Sequence, residues 1–369
     1  MPVHIMGSPP GPRTVVDGRE VDYFCGCGYL GFQSHPEVIE AACEAARKYG
    51  IGSATTRSGY GSTPASLEVE ERAAALFGTE AALYYVSGYL GNAILLRGLQ
   101  GHYEKVFVDK ESHFSVMDAT AQISSSVVPF AHRDPQDLER QLDQVIRPGM
   151  RPLVITDGVF PVSGDIAPLA EYRDVLKNYD EALLCVDDAH ALGVLGERGR
   201  GTFEHCGLNG TDLYLSATMS KALGGFGGVI PGSRRFIEDL QEKSPVPFAA
   251  SLPPTPAAAA SAKSLALLEE KPEIRSALWK MVAYAKNKMK GLGFAVDSSP
   301  VPIICLKGTR DSDFSNLEEE LLKRDIAVFY VPGGSYSSVP EEGAIRIAIF
   351  ADHTCDQIDR LSDELSRLL

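Results

Sequence analysis

The chain has 369 residues, of which 44% are hydrophobic and 23% are charged, and its formal net charge at pH 7 is −14. This length favours two domains, and the composition is typical of a globular enzyme. The acidic charge argues against nucleic acid or an anionic membrane as a partner, because both bind through basic patches.

The seven cysteines are scattered, and only Cys25 and Cys27 are close in sequence. Metal sites need paired cysteines or Cys/His clusters, so we expect no metal site and reduced thiols. The first residues show no basic stretch followed by an apolar one, and no run approaches about 18 uncharged apolar residues. We therefore predict neither a secretory signal nor a membrane span, and a cytoplasmic protein.

Residues 1–33 are expected to form an N-terminal segment, followed by a helix that begins at Ser34-His35-Pro36 and ends at Gly50. From roughly residue 80 to residue 230, short apolar runs alternate with amphipathic segments. We expect strands at 82–86, 105–108, 152–156, 182–186 and 213–215, with helices at 135–146 and 169–178 among them. Because the runs are apolar throughout and separated by helices, they predict a mostly parallel sheet covered on both faces, in an α/β fold.

The last third of the chain has a different pattern. Pro253-Pro254-Thr255-Pro256 opens a helical region that extends to about Leu292. Strands are expected at 301–306 and 344–350, and helices at 316–323 and 356–368. We therefore predict a large domain over residues 34–254 and a smaller C-terminal α+β domain over residues 255–369.

Lys221 and Asp187 are the most informative pair of residues. Lys221 lies in a loop of small residues, 216–225, and a desolvated lysine titrates low enough to form a Schiff base. Asp187 follows the apolar run 182–186, so it is expected at the carboxyl end of a buried strand. There it could keep a pyridinium nitrogen protonated. Together the two residues predict an enzyme that uses pyridoxal 5'-phosphate.

Two further features fit this hypothesis. Ser87-Gly88-Tyr89 follows a strand and opens a helix, where free backbone N–H groups can bind a phosphate. Thr218, three residues before Lys221, could add a hydroxyl group to the same phosphate. His113 follows another strand and is flanked by polar residues, which is also typical of an ordinary surface loop.

The motifs resemble those of the α-oxoamine synthases, a family of fold-type I pyridoxal-phosphate enzymes. The matching segments include 156–160, 186–190, 193–196, 199–201 and 220–225, and the resemblance runs from Tyr29 to Thr354. It implies a fold-type I transferase with a seven-stranded sheet. It also implies decarboxylative condensation of a small amino acid with an acyl thioester, either acyl-CoA or an acyl-carrier protein, to give an α-amino ketone.

The resemblance implies a role for each matched position. Lys221 would hold the cofactor covalently and remove the substrate α-proton. Asp187 would pair with the pyridine nitrogen, His190 with the ring hydroxyl, and His113 would stack on the ring. The phosphate would be lined by Ser87, Gly88, Tyr89 and Thr218.

Two more positions concern the substrate and the partner subunit. Arg346, in Ala344-Ile345-Arg346-Ile347, would bind the amino-acid carboxylate through a bidentate pair. The segment 248–254 resembles one that crosses into the neighbouring subunit, so Ser251 would help to bind the phosphate there. The resemblance therefore implies a homodimer with shared active sites.

Several positions depart from the family pattern, and they cluster where the substrates would bind: Gly28, Pro64, Pro161, Ala250 and Ala344. An altered substrate wall suggests either an acyl donor other than free acyl-CoA, such as a carrier-protein thioester, or another pyridoxal-phosphate reaction, namely aldol cleavage, racemisation or transamination. The first is favoured because His113 and Arg346 both persist. A separate alternative is a non-catalytic subunit that supports an active partner, although such a subunit needs neither Lys221 nor Asp187.

Overall fold

The computed structural model describes residues 3–123, 126–307, 314–334 and 339–369. Its strands, numbered along the chain, are β1 (Arg13–Val16), β2 (Arg19–Tyr23), β3 (Ala81–Tyr85), β4 (Lys105–Asp109), β5 (Ser126–Phe130), β6 (Pro152–Asp157), β7 (Leu183–Asp187), β8 (Leu213–Thr218), β9 (Gly228–Gly232), β10 (Ile303–Lys307), β11 (Ile326–Ala327), β12 (Phe329–Val331) and β13 (Ala344–Ala348). Its helices are α1 (Pro36–Tyr49), α2 (Pro64–Phe77), α3 (Gly91–Gly98), α4 (Phe114–Ala121), α5 (Pro135–Val145), α6 (Leu169–Leu176), α7 (Thr202–His205), α8 (Arg234–Lys243), α9 (Pro245–Ala249), α10 (Thr255–Glu270), α11 (Pro272–Gly291), α12 (Phe314–Lys323) and α13 (Cys355–Leu368).

A mixed sheet forms the centre of the molecule. Among the described residues it contains seven strands in the order β3-β9-β8-β7-β6-β4-β5. The neighbours from β8 to β5 are parallel, and β9 is antiparallel to both β3 and β8. The expected α/β fold with a mostly parallel seven-stranded sheet is therefore confirmed.

Two strands of this sheet were missed by the sequence reading. β5 contains Pro129 and β9 contains Pro231, and proline within an apolar run argues against a strand because it lacks a ladder N–H group. Pro129 is tolerated because β5 is the last strand of the sheet and pairs only with β4. β9 is also bounded by Gly228 and Gly232, which resemble turn residues in the sequence.

Helices cover both faces of the sheet. In β6, Leu153 and Ile155 pack in one hydrophobic cluster with residues of α3 and α4. Val154, between them, packs in the opposite cluster with residues of α5 and α6. Successive side chains thus enter different cores, which explains why a strand of this sheet is apolar throughout.

The helical region predicted from residue 253 to about Leu292 is present and consists of two helices. α10 ends at Glu270, and α11 begins with Pro272 at its first position. Proline cannot donate the backbone hydrogen bond that a continuous helix would need there, and it favours a new helix start. α10 packs against α1 and α2.

The N-terminal strands join the C-terminal part of the chain. β1 and β2 form an antiparallel hairpin, and β2 pairs in parallel with β11, placing Asp22 opposite Ile326. Beyond the hairpin, Phe24 O accepts a hydrogen bond from Ala348 N at 2.8 Å. β10, β13 and β12 form a second antiparallel sheet. The division of the chain at residues 34 and 255 stays a prediction.

Three observations on the described residues concern membrane spans, metal sites and disulfides. No helix there is long and apolar enough to cross a bilayer. No group of three or more His, Cys, Asp or Glu side chains is placed to hold a metal ion among the same residues. All seven cysteines are free thiols.

Acidification should destabilise the folded chain through His353, whose ring stacks on Phe24 with centroids 4.4 Å apart. Its Nδ1 atom accepts a hydrogen bond from Phe350 N at 2.9 Å. Burial lowers the pKa of His353 from 6.5 to about 4. The unfolded chain therefore binds the proton first as pH falls, and we expect urea unfolding to show a loss of about 3 kcal/mol between pH 6.5 and pH 4.

The matched variant is His353→Asn, which keeps an acceptor for Phe350 N but cannot titrate. It should lose less stability than the wild type over the same pH range. An identical pH dependence in the two proteins would contradict this assignment.

Candidate active site

A cavity of about 240 Å³ opens at the carboxyl ends of β6, β7 and β8, which is where parallel sheets bind ligands. Many of the residues predicted from the sequence line it: Ser87, Gly88, Tyr89, His113, Asp187, His190, Thr218 and Lys221. A larger cavity, of about 580 Å³, lies at the opposite end of β8 and is lined by neither lysine nor histidine. The smaller cavity is therefore the candidate active site.

Lys221 lies in the loop that follows β8. Its Nζ atom is 2.8 Å from His190 Nε2, and burial lowers the pKa of the amine. Gly224 closes the loop with φ 59°, and a side chain at this position would collide with the backbone of Gln33. The glycine is thus required for the close approach that buries the lysine. An amine with a lowered pKa is a better nucleophile at neutral pH.

Asp187 is the last residue of β7, and three groups donate hydrogen bonds to its carboxylate. Asn92 Nδ2 and Ser115 Oγ donate to Oδ2 at 2.6 Å and 3.2 Å, and Ala189 N donates to Oδ1 at 3.0 Å. Asp157, at the end of β6, is its register partner. Burial, and then the charge of Asp187, raises the pKa of Asp157 well above its usual range.

His113 precedes α4 and caps its first turn. Its backbone N–H group donates to Asp157 Oδ2 at 2.8 Å. The Nδ1 atom of the ring accepts a hydrogen bond from Ser115 N at 3.2 Å, so the proton of the neutral ring lies on Nε2. Burial, and then the charge of Lys221, lowers the pKa of His113. A neutral, oriented imidazole ring thus faces the cavity.

The turn after β3 could accept a phosphate. A side chain at Gly88 would collide with Thr218 Oγ1, so only glycine lets the two segments approach. Ser87, Gly88 and Tyr89 lead into α3, whose first N–H groups have no partner within the helix. The hydroxyl group of Tyr89 donates to Asp118, so Tyr89 offers its backbone and ring to the cavity.

Arg346 lies in β13, buried behind the cavity, and its guanidinium group is already well satisfied. Nε donates to Pro161 O at 2.7 Å, and Nη1 donates to Gly26 O at 3.1 Å. Nη2 contacts Tyr29 OH at 3.2 Å and Cys27 Sγ at 3.6 Å. The two backbone contacts fix the group, so Nη2 is the part that can change partners.

Comparisons with known proteins agree on one family. The family described as Aminotransferase class I and II matches residues 24–365. The 8-amino-7-oxononanoate synthase of Thermoanaerobacter pseudethanolicus is 34% identical over 357 residues, covering 96% of this chain and 89% of that protein. Serine palmitoyltransferase of Sphingobacterium spiritivorum is 34% identical over 358 residues, covering 96% of this chain and 88% of that protein. A solved structure of serine palmitoyltransferase from S. paucimobilis has a TM-score of 0.91 and 27% identity, covering 99% of this chain and 92% of that one.

The chain belongs to the class I and II aminotransferases, among the α-oxoamine synthases. The expected enzyme class, a pyridoxal-phosphate-dependent acyltransferase that condenses an amino acid with an acyl thioester, is confirmed. Another solved serine palmitoyltransferase structure, with a TM-score of 0.93 and 26% identity, covers 99% of this chain and 92% of that one. It carries pyridoxal phosphate joined to the protein as an internal aldimine.

The cavity of this α-oxoamine synthase fits that cofactor, whose prediction from Lys221 and Asp187 is confirmed for the family. A buried amine, a strand-end carboxylate with three donors and a glycine turn leading into a helix lie around one space. These are the groups that an aldehyde, a pyridine nitrogen and a phosphate would require.

Gly28, one of the departures expected where the substrates would bind, lies close to the side chain of Gln33. Its place beside a substrate stays a prediction. A Cβ atom at Gly28 would lie 2.5 Å from Gln33 Nε2, so this position faces Gln33. The neighbouring Cys27 contacts Arg346 instead. Cys27 therefore contributes a side chain beside Arg346 in this wall of the α-oxoamine synthase.

Three other departures have local explanations. Ala344 packs with Val162 and other valines in an apolar cluster, where an arginine would be buried among apolar side chains. Pro161 contributes its carbonyl group to Arg346. Pro64 is the first residue of α2, whose cap is Thr63.

Ser251 lies outside this group of residues. It is exposed, forms an isolated bridge with Thr56, and does not line the cavity of its own chain. Ala250 is the cap residue that ends α9. The role of Ser251 at a partner's phosphate stays a prediction.

Sequence reasoning gave no role to Asn92, Ser115 or Tyr29. Asn92 and Ser115 orient Asp187, and Tyr29 OH lies 2.8 Å from His190 Nδ1. Asn92 follows the glycine turn directly, which is a signal that could have been used. Tyr29 is separated from His190 by 161 residues, so only the folded chain brings them together.

Asn92→Leu should weaken retention of pyridoxal phosphate by roughly 10- to 100-fold, because it removes one hydrogen bond to a charged group. Its amide holds Asp187 and accepts from Ser216 Oγ at 3.1 Å, with no exposed surface. Fluorescence titration of the cofactor-free protein would give the affinity. Asn209→Leu, an exposed asparagine at the far cavity, is the control and should leave it unchanged. Equal affinities in both variants would contradict this role of Asn92.

Proposed function

We propose that this α-oxoamine synthase condenses a small α-amino acid, namely glycine, alanine or serine, with an acyl thioester, releasing carbon dioxide and a free thiol. The observation that carries this proposal is the connection between Lys221 and Arg346. The amine contacts His190, His190 contacts Tyr29, and Tyr29 contacts the guanidinium group. A cavity of about 240 Å³ leaves little room for a large amino-acid side chain beside a cofactor.

Each residue has a proposed task. Bound pyridoxal phosphate supplies the electron sink for bond breaking at the α-carbon. Asp187 holds a proton on the ring nitrogen, and the Lys221 amine takes the α-proton. Arg346 binds the carboxylate. His113, a neutral ring over the cavity, fixes the plane in which the substrate lies.

The phosphate would be held by the turn at Ser87, Gly88 and Tyr89 with the Thr218 hydroxyl group. His190 would donate to or accept from the ring hydroxyl beside Lys221. These assignments are supported by the placement of all five side chains or backbone groups around one cavity.

The test uses cofactor-loaded protein with one amino acid and one acyl thioester at a time. Carbon dioxide and free thiol should appear in equal amounts with one of glycine, alanine and serine. Amino-acid consumption without thiol release would instead indicate aldol cleavage, racemisation or transamination. A protein that releases neither product nor consumes any of the three amino acids would favour the non-catalytic subunit.

The acyl carrier is tested separately. The departures from the family pattern at the substrate wall, among them Pro161 beside Arg346, support a carrier-protein thioester over free acyl-CoA. The same acyl group would be offered on CoA and on an acyl-carrier protein. Transfer from acyl-CoA at an ordinary enzymatic rate would contradict the carrier-protein version and leave the condensation itself intact.

We also propose a homodimer with shared active sites. Ser251 and Phe248 are exposed, and the segment that carries them packs against the turn Arg57–Gly59 near the exposed Tyr60. Aromatic side chains exposed together are typical of an interface. Light scattering should show a dimer for the wild type and a monomer for Phe248→Asp. Phe329→Asp, at another exposed phenylalanine, is the control, and a monomeric wild type would contradict the proposal.

A cytoplasmic location is proposed from the thiols. All seven cysteines are free, and Cys185 is buried in the sheet. Free thiols persist in reducing compartments. Fractionation of the producing cells should place the protein with the cytoplasmic enzymes, and recovery from an oxidising compartment would contradict this location.

A further inference from the structure

A chain of buried hydrogen bonds joins the substrate end of the site to the reactive lysine. Arg346 Nη2 donates to Tyr29 OH at 3.2 Å. Tyr29 OH lies 2.8 Å from His190 Nδ1, and His190 Nε2 lies 2.8 Å from Lys221 Nζ. Tyr29 is fully buried, and His190 and Arg346 are 5% and 6% exposed. Solvent therefore does not compete for these bonds.

The histidine allows two proton arrangements in this chain. Burial, and then the charges of Lys221 and Arg346, lowers the pKa of His190 well below its usual range, so the ring is neutral. When Nδ1 carries the proton, it donates to Tyr29, and Nε2 accepts from a protonated Lys221. When Nε2 carries the proton, it donates to a neutral amine, and Tyr29 donates to Nδ1. The protonation state of Lys221 therefore depends on whether Tyr29 donates to His190 Nδ1 or accepts from it.

Binding of a substrate carboxylate to Arg346 changes the hydrogen bonds of Tyr29. Nε and Nη1 of Arg346 are held by the backbone oxygens of Pro161 and Gly26, so Nη2 is the donor that no backbone group holds. A carboxylate that takes the Nη2 hydrogen bond removes the donor from Tyr29 OH. The hydroxyl group of Tyr29 then turns its own proton toward the arriving carboxylate, and its oxygen accepts from the Nδ1–H group of His190. This arrangement leaves Nε2 as an acceptor, which stabilises the protonated form of Lys221.

We propose that Tyr29 is a positioning residue that couples occupancy of Arg346 by a substrate carboxylate to the protonation of Lys221, through His190. The inference rests on the proposed role of Arg346 as the carboxylate-binding group. It adds a task for the buried hydroxyl group, which touches neither the cavity nor the reacting atoms.

Other charged groups around the lysine are shared by both states. The ionisable groups that act on Lys221 or His190 besides each other are Cys27, Asp157, Asp187, His113 and Arg346. Among these, only Arg346 changes its hydrogen bond to Tyr29 in the proposed exchange. Direct electrostatic attraction between a carboxylate and Lys221 would persist in Tyr29→Phe, because this variant changes no charge. A rise in the pKa of the lysine nitrogen that requires the Tyr29 hydroxyl group therefore indicates the relay.

The test uses propionate, which has the carboxylate but no amine and cannot react. In the cofactor-loaded wild type, propionate should raise the midpoint of the pH titration of the cofactor absorption band by about one unit, a tenfold change in proton affinity. Tyr29→Phe should bind propionate and show no such rise. Tyr103→Phe, a buried tyrosine whose hydroxyl group donates to Leu96 O at 2.9 Å, should respond like the wild type.

A second readout needs no cofactor. In the cofactor-free protein labelled with 15N-histidine, propionate should move His190 toward the tautomer protonated on Nδ1, and Tyr29→Phe should abolish this change. A midpoint rise in Tyr29→Phe equal to that of the wild type would overturn the proposal, as would a wild type that binds propionate without response. No acyl donor is present, so a failed condensation with an intact propionate response would contradict the proposed reaction and not the relay.

Discussion

Lys221→Met is expected to lower turnover by at least about 10⁴-fold, because it removes both the covalent link to the cofactor and the base for the α-proton. Methionine is apolar and similar to lysine in volume, so it suits the buried position and the loop after β8 should keep its shape. Borohydride reduction followed by mass analysis should find pyridoxyl label on the wild type and none on the variant. Lys177→Met, at an exposed lysine on the end of α6, is the control and should behave as the wild type. Measurable turnover by a label-free Lys221→Met protein would contradict the assignment.

The same substitution should stabilise the cofactor-free protein at neutral pH. Burial lowers the pKa of Lys221 in the folded state from the ordinary 10.5, so the unfolded chain binds the proton more tightly. Stability therefore rises with pH across the interval that ends near 10.5, and the lysine is destabilising below it. Thermal unfolding should show a higher melting temperature for the variant at pH 7 and a smaller difference near pH 10. A reactive group thus lowers the stability of the fold that holds it.

Asp187→Asn is expected to reduce turnover by about 10³-fold, the scale of losing one oriented electrostatic contact at a reacting group. An amide cannot keep a proton on the ring nitrogen in the way a carboxylate does. The variant should also show an altered cofactor absorption spectrum, which a loss of folded protein alone would not produce. Steady-state kinetics on the folded fraction would measure the effect.

The adjacent Asp188 provides the matched control. It is fully buried and accepts a hydrogen bond from Thr202 N at 2.8 Å, away from the cavity lining. Burial raises the pKa of Asp188 to about 8, so at pH 7 the side chain is mostly protonated and asparagine is its neutral counterpart. Asp188→Asn should therefore retain most of the activity and the wild-type spectrum. Equal losses in the two variants would mean that Asp187 acts through the fold.

The apolar runs allowed five strands of the central sheet to be predicted from the sequence. The runs that became β3, β4, β6, β7 and β8 are buried on both faces, so they needed no alternation to be recognised. Polar residues after such strands meet at one edge of the sheet, which is why Asp187 and the turn at Ser87 could be grouped in advance, whereas the place of His113 came from the family resemblance. The proline-containing β5 and β9 lacked this signal.

The hydrogen bonds between distant residues of the site could not be predicted in this way. Arg346 and Tyr29 are 317 residues apart, and nothing in either local sequence indicates their contact. Cys27 contacts the same guanidinium group from 319 residues away, which its local sequence does not indicate either. Motifs therefore identified the groups that contact the cofactor, whereas the groups that connect these residues required the tertiary structure.

The pairing of β2 with β11 has a consequence for synthesis on the ribosome. β2, which carries Asp22, can pair with β1 at once but gains its second neighbouring strand only when Ile326 has been made. Tyr29 is fixed by Ala351 N, which donates to its carbonyl group at 2.8 Å and is made later still. The residues from Ser87 to Lys221 can enclose a cofactor long before that point. Translation thus completes the cofactor side of the site first, and the connection to Arg346 closes only after residues 346–351 have been made.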